Sequence, residues 1–340
     1  MQASKDHDYA LGMLPDVGAA DIGLICAFTI SPTTGVREIE ITELHEAAED
    51  SITWLHFNLS NARARHLLAH ASFIPEGLKE VFREHDIRRR IELLDTGLLV
   101  VIADLAFEAE SDVPEVAPLW CFVAPRLFIT ARTHPLKTTD QLRSAVRAGS
   151  KISSTVELLT WILNRRTTTL RDIAEAMTEQ VGEIEDEILA GNIKQQREQL
   201  GRIRRFCARL RRHFAPDRSA FLKMLQHRPA LLGEASAELI RSEVEELSFL
   251  TDEVNELYER AKLLQEELAS RVAEDTGRSL YVLAILSAVF LPMTLITGVF
   301  GMNVAGLPGL TGAGSFWWVM LLIVAAGAVT LASIFSKRRS

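Results

Sequence analysis

Between Leu280 and Asn303 the residues that could handle an ion are few and uncharged, while the acids of the stalk helix before them could form a cytoplasmic regulatory cation site. Ser287, Thr294 and Thr297 are the aliphatic hydroxyls between Leu280 and Phe300. Ser287 and Thr294 are seven residues apart, which puts both on one face of a helix. Leu280, Ala284, Leu291, Gly298 and Met302 extend that face at 3-4 spacing. Small, polar and aliphatic side chains alternate along it. Such a stripe suits a narrow pore wall, wet at some levels and dry at others. Helix packing in a membrane favours the same small residues, so the spacing leaves both readings open. Gly301-Met302-Asn303 closes the stripe and adds one amide. His66 and His70 form a second constellation, at i and i+4 on a predicted helix, a spacing that can bind a metal. No third ligand stands near them, and a surface or core role is the alternative.

Other chemistries lack their residues. There is no Gly-rich phosphate loop, nucleophile elbow or paired catalytic carboxylate motif, which disfavours ATP-driven transport and an enzyme. Cys26, Cys121 and Cys207 are far apart, odd in number and without a CxxC pair. They read as buried thiols in a reducing compartment.

The elements around the stripe follow from charge. The 58 residues Ser279 to Ser336 contain no Asp, Glu, Lys, Arg or His, in a chain that is 24% charged. Leu280–Phe300 and Phe316–Phe335 are each about the 20 residues that span a bilayer's hydrocarbon core. Gly301 to Ser315 holds five glycines and Pro308, a composition that turns the chain. The result is a helical hairpin through a membrane. Arg278 precedes it and Lys337-Arg338-Arg339 follows, while the loop has no basic residue. Positive residues stay on the cytoplasmic side, so both termini are expected there. Phe316, Trp317 and Trp318 suit the outer interface.

The preceding residues read as an α/β domain over 1–150, with strands at Ile22–Ile30, Ile52–Leu59, Leu98–Leu105, Leu119–Val123 and Leu127–Thr130. Helical segments alternate with them at Ala62–Ala71, Pro75–Glu84 and Thr139–Ala148, the last capped around Thr138-Thr139-Asp140. Residues 151–278 read as helical. Val156–Ala190 ends at Gly191-Asn192, and Ile193–Phe214 is basic. Pro216 and Pro229 predict breaks. From Ala235 a stalk helix continues towards the first span, with Gly277 its expected bend. Val244, Leu247, Thr251, Val254, Tyr258, Ala261, Gln265, Leu268 and Val272 form a coiled-coil-like seam on it, flanked by Leu250, Leu257 and Leu264. The stretch Glu238–Asp275 carries twelve acids against four bases. It either faces the basic segment or is solvated. The fold class is therefore an α+β membrane protein: a cytoplasmic α/β domain, a long helical stalk, and two C-terminal spans at 279–300 and 316–336. The outer loop covers 301–315 and the basic tail 337–340.

Gly301-Met302-Asn303 at the outer end of the first of two C-terminal spans resembles the signature of the CorA-type divalent-cation transporters. The cytoplasmic α/β domain, long stalk helix, short loop, second span and basic tail extend the likeness. Phe290 to Gly309, reading FLPMTLITGVFGMNVAGLPG, is similar to the ZntB branch, the zinc transporters of that family. The magnesium branch carries an acid near its Met-Pro, whereas Leu307-Pro308-Gly309 stands in a neutral loop here. The methionine of the motif is the residue the magnesium branch shows.

The resemblance implies a homopentamer in a bacterial inner membrane, with first spans lining a pore and Asn303 side chains ringing its outer mouth. An amide oxygen is a hard, neutral acceptor that can hold the water shell of a divalent ion. The implied cargo is Zn²⁺, with Mg²⁺, Co²⁺ or Ni²⁺ as alternatives. The implied partners are copies of the chain, lipid and the cation, with no nucleic acid and no resident cofactor. A membrane-anchored cytoplasmic sensor or enzyme is the competing class.

Overall fold

The computed structural model describes residues 22–46, 50–83, 88–106, 115–191, 195–227, 231–302 and 314–337. It divides into two compact units, one up to Leu263 and one from Leu264 onward. The first unit is built on a seven-stranded sheet of order β2-β1-β3-β7-β6-β5-β4. Its strands are β1 (Leu24–Ser31), β2 (Gly35–Glu38), β3 (Ile52–Asn58), β4 (Arg90–Leu94), β5 (Gly97–Leu105), β6 (Val116–Val123) and β7 (Leu127–Arg132). Only β3 and β7 pair in parallel; the other neighbours are antiparallel.

Helices cover both faces of the sheet, which explains the unbroken apolar run in β5. All of its residues are buried, and a strand covered on both faces has no solvent side to make polar. Leu99 and Val101 pack with α1 (Ala62–His70) and α2 (Glu76–Arg83). Leu98, Val100 and Ile102 enter the second core, under α3 (Lys137–Arg147), α4 (Thr155–Leu189), α5 (Gln196–His227) and the start of α6 (Glu234–Phe300). Ile162 of α4, Phe221 of α5 and Val244 of α6 share that core.

Five strands and the helices fall where the sequence places them. β2 and β4 do not show in its pattern. Both are short edge strands whose residues are all exposed or half-buried, so burial imposes no two-residue period on them; shortness and the charged Arg37, Glu38, Arg90 and Glu92 discourage edge-to-edge association. Thr138 and Thr139 do not cap α3. The helix begins at Lys137 after Leu136; the Thr138 hydroxyl donates to Asp104 Oδ1 at 2.8 Å and the Thr139 hydroxyl to Leu136 O at 3.1 Å. Ser154 does cap α4, accepting from the Glu157 N–H at 3.1 Å. That helix stops before Gly191, whose φ of +88° needs a residue without a Cβ.

Pro216 does not break the chain either, because α5 runs through it. An interior proline costs about 3 kcal/mol. Burial of Phe214 and Phe221 on the flanking turns offsets that cost. Pro229 and the tail residues Arg338 and Arg339 lie outside the described residues. α6 continues unbroken across Gly277. Its predicted seam is buried from Val244 to Leu268 except for half-buried Tyr258 and Gln265, while Val272 is exposed. The acidic stretch meets the basic segment only in part: Arg218 approaches Asp252 at 3.9 Å and Arg211 lies over the Tyr258 ring. Other α6 groups pair with α4, through Arg171–Glu246, Arg260–Glu185 and the Thr167 hydroxyl donating to Glu243 at 2.9 Å.

One ion pair ties the sheet to this helical layer. Arg166 of α4 donates to Asp217 of α5 at 2.6 Å and to the Ala103 carbonyl at 2.9 Å. Asp217 accepts the Ala103 N–H at 3.0 Å. The two side chains are 1% and 0% exposed. Burial pushes the Asp217 carboxyl up, and the Arg166 guanidinium draws it back. A charge stripped of water needs its partner. Asp217→Ala is therefore expected to cost roughly 3–5 kcal/mol by stranding buried Arg166, read as a drop in the unfolding midpoint of purified protein.

A second buried network sets a pH dependence. Arg132 Nε–H donates to His56 Nε2 at 3.2 Å, so the ring proton sits on Nδ1 and donates to Thr130 Oγ1 at 2.8 Å. Thr130 Oγ1 also accepts from Trp54 Nε1 at 2.8 Å. Burial first, and Arg132 second, lower the His56 pKa to about 3. The unfolded chain takes up a proton near pH 6.5 that the folded one refuses, so His56 contributes stability at neutral pH that is lost as pH falls from about 6.5 towards 3. Asp104, raised to about 6 by burial, acts in the opposite sense below pH 6. His56→Gln is expected to flatten the loss of unfolding midpoint between pH 6.5 and 4; an unchanged slope would contradict this assignment.

Candidate ion pathway

The second unit contains the C-terminal part of α6 and α7 (Ser315–Lys337). These two helices are long and apolar enough to cross a membrane. The sequence requires them to be helices, since in hydrocarbon every backbone N–H and C=O must be satisfied within the segment. The few hydroxyls obey the same demand. Ser287 Oγ donates to Leu283 O at 2.9 Å, Thr294 Oγ1 to Phe290 O at 2.8 Å, and Thr297 Oγ1 to Met293 O at 3.0 Å. Each hydroxyl proton is spent on its own helix. What remains on the oxygen is lone pairs, which accept from water or face a cation.

The two sides of α6 differ. Ile285, Val289, Pro292, Met293, Ile296 and Phe300 are half-buried, and Met293 and Val289 lie against Gly327 of α7. Leu280, Ala284, Ser287, Leu291, Thr294 and Gly298 are exposed. An open groove of about 810 Å³ runs along that side, lined by Ser287, Leu291, Thr294, Gly298 and Met302 together with Phe290, Leu295 and Val299. The structure thus brings five residues of the stripe into one groove, while Leu280 and Ala284 fall outside its lining. Phe290, Leu295 and Val299 escape a strict 3-4 count because groove walls are one position off the stripe.

Gly301 ends the helix. Its N–H donates to Thr297 O at 2.8 Å, and a Cβ there would stand 2.9 Å from the same oxygen. Met302 follows, half exposed at 50%. Asn303 and Leu307-Pro308-Gly309 lie outside the described residues. His66 and His70 face solvent on α1, with rings stacked at 4.4 Å and His70 Nδ1–H donating to His66 O at 2.8 Å. Among the described residues no group of three His, Cys, Asp or Glu side chains could hold a metal ion. Cys26, Cys121 and Cys207 are buried and free; burial pushes the Cys26 thiol up to about 12.

A sheet domain, a helix running on into an apolar half, and a second apolar helix form a known combination. The family described as CorA-like Mg2+ transporter protein matches residues 49–338. The chain belongs to that family. It is 27% identical over 308 residues to the divalent cation transporter CmaX of Pseudomonas aeruginosa, covering 88% of this chain and 92% of CmaX. It is 22% identical to the zinc transport protein ZntB of Yersinia enterocolitica, over 83% of this chain and 86% of ZntB. The solved full-length CmaX structure superimposes with a TM-score of 0.79 at 25% identity, covering 94% of this chain and 98% of that one. The CorA magnesium transporter of Methanocaldococcus jannaschii shows the same fold, with a TM-score of 0.75 at 18% identity, over 93% and 98% of the two chains. The CorA-like architecture is thereby established, as is the class: a transporter of divalent cations and not an anchored enzyme.

Proposed function

We propose that this member of the CorA family is a homopentamer in the bacterial inner membrane that passes partly hydrated divalent cations, Zn²⁺ in preference to Mg²⁺. The observation that carries the reading is the groove of Ser287, Leu291, Thr294, Gly298 and Met302, on a segment of α6 that offers hydroxyl oxygens and no charge. A single hairpin is too thin to enclose a pore. Several copies of α6 placed around an axis would turn the open groove into a wall, with α7 outside.

Each layer of that wall has a physical role. The hydroxyl oxygens accept from the water shell of the ion, and Leu291 supplies a dry level between them. Asn303 would ring the outer mouth with amide oxygens that hold hydrated ions. Mg²⁺ sheds water reluctantly, so recognition through the shell avoids that cost. Both termini would lie in the cytoplasm, with residues 1–278 on that side, the spans at 279–300 and 316–336, and residues 301–315 outside, as the flanking Arg278 and Lys337-Arg338-Arg339 favour. With no phosphate-binding loop in the sequence, the membrane potential or an ion gradient would supply the driving force.

Two features support zinc. The loop from Gly301 to Ser315 has no acid, and the relatives include proteins named as zinc transporters. An amide and hydroxyl lining offers neither thiolate nor imidazole, so any preference would act on the hydrated ion.

Purified protein in liposomes is expected to pass Zn²⁺ faster than Mg²⁺ in a metal panel run with and without a pH gradient, and Asn303→Ala to abolish or deselect that flux. Selective flux unchanged in the variant sinks the role of Asn303, and Mg²⁺ flux exceeding Zn²⁺ flux reverses the ion assignment.

A further inference from the structure

We infer that Gly327 is a positioning residue for ion passage: it forms a notch in α7 that seats Met293 and fixes which face of α6 is turned away from α7. This rests on the pore reading above, and it names the contact that orients the pore face.

Three observations lead there. The first is space. A Cβ added to Gly327 would stand 2.0 Å from Met293 Cε and 4.0 Å from Val289 Cγ1. The methionine tip occupies the volume that any side chain at 327 would need. The second is burial. Among the described residues of α7, Gly327 is the one that is buried. Val319, Ile323, Ala326, Thr330 and Ile334 around it are half-buried and make a shallower seam at 3-4 spacing. The Thr330 hydroxyl turns back onto its own helix, 2.9 Å from both Ala326 O and Gly327 O.

The third is direction. Leu291 precedes Met293 by two residues, about 200° around the helix. Ser287, Thr294 and Gly298 fall on the same exposed side as Leu291. By the same count Gly298 lies about 140°, Ser287 about 120° and Thr294 about 100° from Met293, so seating Met293 in the notch turns this exposed groove away from α7. In a bilayer no hydrophobic force favours one apolar helix face over another, because lipid is as apolar as the side chains. Rotation of α6 must be set by shape, and a knob facing a hole is a shape with one solution.

The test separates orientation from mere folding. In proteoliposomes of the full chain carrying Thr294→Cys, a water-soluble thiol reagent reports whether position 294 faces water. The native cysteines are buried and give little background. Adding Gly327→Val forces Met293 from the notch. Labelling in the Thr294→Cys protein, and Zn²⁺ flux in a parallel protein that keeps Thr294, are then each expected to fall by about tenfold, the range of an overpacked contact. Adding Met293→Ala as well restores room and should return both to within about twofold of the starting protein, a coupling only contacting residues show. Gly327→Ala, which asks only the methionine tip to shift, should give a smaller fall and serves if the valine variant does not reach the membrane.

The inference is overturned if Gly327→Val, or Gly327→Ala where it is used instead, leaves labelling and flux unchanged. It is equally overturned if Met293→Ala fails to rescue a Gly327→Val variant of normal oligomer mass. If Thr294→Cys is not labelled with Gly327 and Met293 both present, the pore reading itself fails and takes this inference with it, a result distinct from the other two.

Discussion

Hydrocarbon offers a peptide nothing to hydrogen-bond, and an unpartnered polar group in it costs several kcal/mol. The second unit answers that demand throughout. Its described spanning segments are helical, the Ser287, Thr294 and Thr297 hydroxyls are turned onto their own backbone, and no Asp, Glu, Lys, Arg or His stands between Ser279 and Ser336. The same economy shapes what an ion can meet there. Serine and threonine that have spent their protons on the helix present only acceptors, and acceptors suit a cation in its water shell. On the proposed pore reading, the same atoms would meet the requirement for staying in the membrane and the requirement for passing a cation.

The first unit faces the opposite problem, since it must bury charge in order to hold its layers in register. Arg166, Asp217 and the Ala103 peptide link α4, α5 and β5 through hydrogen bonds with almost no exposure. Apolar residues of the same volume could bind those layers with equal strength. A directional pair adds a fixed geometry: these hydrogen bonds form together only when all three elements stand in place. The His56, Thr130, Trp54 and Arg132 network does the same across β3 and β7. Near-neutral surfaces would allow the helices to slide; these partners do not.

Much of this was legible in the chain. A charge-free run of 58 residues announces a hairpin because solvation leaves no other use for it. β5 and the α6 seam were legible because periodicity and hydrophobic run length respond directly to burial. β2 and β4 were not, because burial imposes no hydrophobic period on short strands whose residues are all exposed or half-buried. Pro216 misled because local propensity does not register the packing of Phe214 and Phe221 on either side of it. Thr138 looked like a cap because its type suits one, and only the fold shows that Asp104 claims its hydroxyl.

The sequence by itself determined the two spans and the stripe at 287, 291, 294 and 298, since helical spacing and the absence of charge are properties of the chain read one residue at a time. It could not say which way the stripe points. Periodicity defines a face but gives it no reference direction, and lipid, packing partners and pore all accept the same small and apolar residues. Tertiary structure decided that point through contact: Met293 in the space left by Gly327, from a residue 34 positions further along the chain, places the stripe on the side away from α7. A glycine's significance lies in what fills its missing side chain, and that neighbour is set by the fold and not by adjacency in sequence.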